Sequence, residues 1–179
     1  MAKKEGRPLV IDASIAHAAG ESRHPVSSAS RACLDAVLRI CHKLVLTEEL
    51  SEEWRSHASL FTRRWQRSME ARKKVIRLGS LKDDELRGEV AIGVPTTAAG
   101  EAAQKDMHLV EAALETKAPI ISMDDSAREL FKGATQTAHR LRQVVWVNPV
   151  RPEEEALEWL KDGAKADPAR RLGAGQGGM

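Results

Sequence analysis

Hydrophobic positions along the chain alternate between two kinds of pattern. Short, mainly apolar runs occur at Leu9-Val10-Ile11, at Leu44-Val45-Leu46, at Ile120-Ile121-Ser122-Met123 and within Gln143 to Asn148. Runs of this length, bounded by polar residues or proline, predict strands buried on both faces, as in a parallel sheet. Between them the apolar residues recur at helical spacing. Ala32, Cys33, Ala36, Val37, Ile40 and Cys41 mark a helix from about Ser28 to His42, after a loop over Gly20 to Ser30. Leu50, Trp54, Ala58 and Phe61 mark a second helix, opened by the acidic run at Glu48. From Thr62 the stripe continues through Trp65, Met69 and Val75/Ile76.

Leu81 to Gly93 reads as a short helix and loop, and Gly93 to Thr97 as a break with Thr96 or Thr97 as the next cap. Ala98 to Lys117 forms one helix or two around Gly100, and Asp106 is expected at the start of the helix with the apolar stripe Met107, Val110, Ala113 and Leu114. Ala118-Pro119 stops it, because proline lacks the N–H and restricts the residue before it. A short helix over Ser126 to Phe131, a loop over Gly133 to Arg142 and a C-terminal helix from Pro152 to about Asp162 complete the pattern. The alternation of strand and helix predicts an α/β fold with a mainly parallel sheet and helices on both faces. The expected boundaries are a flexible N-terminus (1–7), one domain (8–150) with a basic helical insertion (62–95), the C-terminal helix (151–162) and a disordered glycine-rich tail (163–179).

Composition narrows this little: the chain has 179 residues, 42% hydrophobic and 30% charged, an ordinary globular balance. The formal net charge of +2 hides an asymmetry. Arg63, Arg64, Arg67, Arg72, Lys73, Lys74 and Arg77 crowd one stretch against the single acid Glu70, a pattern that fits phosphates or a solvated face. Cys33 and Cys41 lack metal or redox spacing and read as reduced thiols. The apolar run at Leu9 is too short for a signal peptide or membrane span, so a cytoplasmic protein without membrane contact is expected.

The candidate chemistry lies where strands end. Asp12 follows the first run and Asp124 the third, and right-handed crossovers bring strand C-termini to one edge, where open α/β sheets bind ligands. Each Asp can equally be a helix cap. Asp106 and a glutamate after the second strand, Glu53 rather than Glu52, join them there. Four such carboxylates repel unless protonated or holding cations. Mg²⁺ or Mn²⁺ suits all-oxygen donors, keeps open positions for phosphate oxygens and activates water, which is phosphodiesterase chemistry. None of the histidines has metal-ligand spacing, although His57, one turn after Glu53, could reach the cleft.

The motifs Val10-Ile11-Asp12-Ala13-Ser14, Glu53, Asp106-x-x-Leu109-x-x-Ala112-Ala113-Leu114 and Ile120-Ile121-Ser122-Met123-Asp124 resemble those of the PIN-domain ribonucleases, in order and spacing over residues 8 to 148. The resemblance implies a three-layer α/β/α sandwich and Mg²⁺- or Mn²⁺-dependent cleavage of single-stranded RNA. It implies Asp12, Asp106 and Asp124 as metal ligands and Glu53 as a contributor or water-orienting group. Ser14 and Ser122 would steady water or carboxylate, and Asp125 is an acid able to replace Asp124. Arg63, Arg64, Arg67, Lys73 and Lys74 would form the RNA-contacting surface. The family also admits a homodimer and, among toxin–antitoxin nucleases, an antitoxin-like partner. The segment 62–95 and the C-terminal helix exceed the minimal fold of the toxin members.

Two other readings compete. A haloacid-dehalogenase-like phosphatase needs a second acid two residues after its aspartate, and Ser14 stands there. A catalytically inactive PIN-like module binding RNA or a protein through the basic helix has no electrostatic reason to keep its repelling carboxylates.

Overall fold

The structure, a computed structural model, describes residues 6–175. Its centre is β1 (Pro8–Ile11), in which Leu9, Val10 and Ile11 are inaccessible to solvent. Burial on both faces demands a layer on each side, which is why the run is continuously apolar. β2 (Lys43–Leu46) pairs with one edge of β1 and β4 (Ile120–Ile121) with the other. β3 (Val75–Arg77) lies outside β2, and β5 (Trp146–Val147) outside β4. The sheet has the order β3-β2-β1-β4-β5 and every pairing is parallel.

The crossovers supply the outer layers. α1 (Ala13–Ala18) and α2 (Pro25–Ile40) connect β1 to β2, and α3 (Glu48–His57) and α4 (Leu60–Ala71) connect β2 to β3. The chain then returns across the sheet through α5 (Asp84–Gly93) and α6 (Thr97–Thr116) to β4, and through α7 (Asp125–Ala134) to β5. Right-handed crossovers in opposite directions place helices on opposite faces. Accordingly α2 packs on α4 in one layer, and α5, α6 and α7 pack together in the other. The result is a three-layer α/β/α sandwich. Among the described residues no helix is long and apolar enough to cross a membrane.

Local chemistry sets several boundaries differently from the sequence reading. α2 starts at Pro25, not Ser28, because His24-Pro25 supplies a cap and an N1 proline. Val75 and Ile76 form strand β3 rather than continuing a helix. α4 stops at Ala71, Lys73 takes a left-handed conformation (φ 56°), and the β-branched pair then adds to the edge of β2. Met69 and Val75/Ile76 share a helical spacing only by coincidence. Ala98 to Lys117 belongs to one helix, α6, capped by Thr96 Oγ1 and continuous through Gly100. Asp106 therefore sits mid-helix rather than at a helix start. α7 runs on through Gly133 to Ala134, and residues His139–Gln143 form a 3₁₀ turn instead of an open loop. The C-terminal helix is a 3₁₀ turn (Pro152–Glu154) followed by α8 (Ala156–Lys161), which packs on α2.

The expected flexible ends are partly tied down. Met1–Glu5 and residues 176–179 lie outside the described residues. Arg7 donates its N–H to His42 Nδ1 and accepts from Lys43 N–H, so the chain is already docked before β1. Residues 163–175 are docked as well, which corrects the expectation of disorder for that part of the tail. Ala164 and Leu172 are buried, Leu172 N–H donates to Val144 C=O (2.9 Å), and Arg171 bridges antiparallel to Val145. Glycine here serves close packing: a Cβ on Gly173 would stand 2.8 Å from Arg142 Cβ.

Candidate active site

The strand order reverses between β1 and β4, since the chain first moves outward through β2 and β3 and then returns to the other side of β1. That switch point opens a crevice at the C-terminal ends of the two strands. Asp12 and Asp124 stand just beyond those ends.

Their side chains do different work. Asp12 precedes α1 but makes no capping bond. Its Oδ2 instead accepts hydrogen bonds from Ser14 Oγ (2.6 Å) and Ser122 Oγ (2.7 Å). Both hydroxyls clamp one oxygen, and Oδ1 has no hydrogen bond among the described residues. Ser122, fully buried, also accepts from Asp124 N–H (3.0 Å), so one hydroxyl joins the ends of β1 and β4. Asp124 does cap: its Oδ1 accepts from Ala127 N–H (2.9 Å) at the start of α7.

α6 carries Asp106 to the same edge. α6 runs back toward the start of β4, and from Asp106 to Lys117 it rises about 16 Å, whereas β1, with 4 residues, spans about 13 Å. Asp106 thus stands level with the strand C-termini. Its carboxyl is pushed up from 3.8 to about 6, first by burial, then by the charges of Asp12 and Asp124, with a smaller push from Glu53 and an opposing pull from His108. A rise of this origin requires that the four carboxylates share one electrostatic neighbourhood.

Glu53 enters from α3. Its Oε2 lies 3.2 Å from Nε2 of His108, a buried residue of α6. His108 Nδ1 faces the Lys105 carbonyl (2.9 Å) and so carries a proton, leaving Nε2 to meet the carboxylate. Burial opposes the charged ring most, but Glu53, the Lys105 carbonyl and Asp106 together outweigh it and raise the histidine's pKa. Glu52 points outward to Arg55 (2.6 Å). A second acid from the same helix, Glu49, accepts from Ser80 Oγ (2.5 Å). Burial raises the Glu49 pKa, but this bond and those from its own backbone and Thr47 outweigh it and leave the value lowered.

Asp125 is turned away from this group. Its Oδ2 accepts from Arg151 Nε (2.8 Å) and Asn148 Nδ2 (3.1 Å), which ties α7 to the segment after β5. It therefore does not stand in for Asp124. His57 does not reach the crevice either: it ends α3 beside His17, whose Nδ1 contacts the His57 carbonyl (3.1 Å). His108 escaped the sequence reading because a single histidine has no spacing signature. Its one signal was a polar residue inside the otherwise apolar run from Met107 to Val110.

The five cations expected to contact RNA divide. Arg63 and Arg67 line a groove between α3 and α4. Arg64 points elsewhere, 3.8 Å from Glu21. Lys73 and Lys74 lie in the turn before β3, not on a helix.

Carboxylate and hydroxyl oxygens without thiolates form a donor set chemically suited to a hard divalent cation. Among the described residues, no three His, Cys, Asp or Glu side chains are gathered tightly enough to hold one. The carboxylates are neighbours in repulsion, with Asp12 oriented by its two hydroxyls. Comparison with protein-family models, with curated proteins and with solved structures finds no match to this chain. Fold and residues alone carry its functional interpretation.

Proposed function

We propose that this chain is a divalent-metal-dependent hydrolase of RNA phosphodiester bonds, with PIN-like chemistry. The observation that supports it best is the meeting of carboxylates at the β1/β4 switch point. Asp12 is clamped by hydroxyls instead of capping its helix, and Asp124 is near enough to Asp106 to raise its pKa. A structural site would be expected to neutralise such repulsion with a lysine or arginine; among the described residues the cation that offsets the charge at Asp106 is His108, and it engages Glu53.

In this reading Asp12, Asp106 and Asp124 are the residues that would hold Mg²⁺ or Mn²⁺. When bound, the cation lowers the pKa of water and offsets charge growing on the phosphorus. Ser14 and Ser122 hold the Asp12 carboxylate in one orientation, sparing its reorganisation when substrate arrives. Glu53, steadied by His108, would orient the attacking water. Asp106 would have to give up its proton to serve as a ligand, because a protonated carboxyl is a poor one.

The test is cleavage of unstructured RNA with Mn²⁺ or Mg²⁺, compared with EDTA and with Asp106→Asn. Cutting that needs the cation and is lost in the variant is the expected result. No cutting, together with no Mn²⁺ binding by calorimetry, would refute the proposal.

A further inference from the structure

Between α3 and α4 lies a groove of ≈ 440 Å³, walled by Arg55, Arg63, Gln66, Arg67, Glu70 and Arg77. Four exposed guanidiniums thus face one carboxylate across a single concavity. Arg55 is engaged by Glu52 and Arg77 by Glu70, each at 2.6 Å. The side chains of Arg63 and Arg67 have no ion pair or hydrogen bond among the described residues.

The two free arginines recur at i and i+4 on α4, with Glu70 one turn further, so they form a row about 6 Å apart along the axis. The opposite face of α4 buries Thr62, Trp65 and Met69 in the core. Packing therefore accounts for that face and leaves the arginine row without a structural role. Guanidinium forks match phosphate oxygens, and unpaired like charges in one concavity repel until an anion fills it. The groove walls present no exposed large apolar side chain, and Trp54 beneath them is buried. A protein partner would lack the apolar anchor that interfaces are built around.

The groove is also linked to the carboxylates through α3. Trp54 Nε1 donates to the Ile11 carbonyl (2.9 Å), immediately before Asp12, and Glu53 lies on the same helix. We infer that the α3–α4 groove is the track for the phosphate backbone of a single RNA strand, with Arg63 and Arg67 as the primary contacts and Arg55 and Arg77 released from their glutamates to join them. The inference rests on the hydrolase reading for its choice of RNA. It leaves Arg64, Lys73 and Lys74 off the track.

The experiment is fluorescence anisotropy of a labelled unstructured RNA with the full chain in EDTA, across a salt series. Arg63→Ala/Arg67→Ala is compared with Arg39→Ala/Lys117→Ala, exposed cations outside the groove. The groove variant is expected to bind at least about tenfold more weakly at low salt, with a salt slope smaller by about 1.4, the loss of two single-strand phosphate contacts. The control stays within about twofold. An unchanged affinity and slope in the groove variant, or no RNA binding by the parent, overturns the inference. So does a parent that binds polyglutamate through these arginines but not RNA. Cleavage with Mn²⁺ is read separately: groove-dependent binding without cutting removes the hydrolase reading alone, whereas cutting with groove-independent binding removes the track alone.

Discussion

Replacing Asp106 by asparagine should stabilise the metal-free protein as it disables the site. The carboxyl is raised from 3.8 to about 6 by burial and by the Asp12 and Asp124 charges. A group whose folded pKa is raised favours the fold most below its unfolded value, and that contribution is lost as pH rises through the folded value. The difference corresponds to about 3 kcal/mol at full ionisation. Partial exposure of Asp106 screens some of this, leaving about 1–3 kcal/mol. Asparagine has the same shape and no charge. Parent and variant should therefore unfold alike near pH 4, and the variant should be more stable at pH 8 by roughly 2–10 °C in Tm. The assay is thermal unfolding in EDTA from pH 4 to pH 8. Adding Mn²⁺ should then raise the Tm of the parent and leave the variant little changed. A gap that does not widen with pH, or a variant less stable at pH 8, would refute the electrostatic account of the site.

Truncation after Asp162 should lower stability by about 2–4 kcal/mol, because Leu172 loses its burial and Val144 its hydrogen bond from Leu172; urea unfolding measures it, and an unchanged midpoint would show the docked tail contributes nothing. His42 is fully buried and neutral, accepting from Arg7 N–H and donating to Leu160 C=O (3.0 Å), with its pKa lowered chiefly by burial. Its contribution to stability is complete above pH 6.5 and is lost as pH falls below that toward the folded value. His42→Gln should flatten this acid limb in unfolding curves between pH 7 and pH 5, an effect opposite in sign to that of Asp106.

The layered fold was legible because strands buried on both faces leave unbroken apolar runs and helices leave stripes. Leu9-Val10-Ile11 and Ile120-Ile121 carried that signal clearly. Val75-Ile76 did not, since three residues at a sheet edge fit either period, and only pairing with β2 makes them a strand. The tail was misjudged for a related reason. Its glycines look like disorder in composition, while two buried apolar residues dock it, Ala164 against the end of α8 and Leu172 against the segment leading into β5.

The sequence by itself determined which residues end the strands in acids, because polar residues must terminate a buried apolar run. It could bring Asp12 and Asp124 to one edge through the handedness of crossovers alone. Only the tertiary structure decided what each acid does there. Whether Asp12 caps a helix or is clamped by Ser14 and Ser122 depends on a hydroxyl 110 positions away in the chain. Whether Asp124 or Asp125 faces Asp106 depends on Arg151 and Asn148 competing for the second. That His108 meets Glu53 depends on α3 packing against α6. These are contacts between residues distant in sequence, and local periodicity has no term for them.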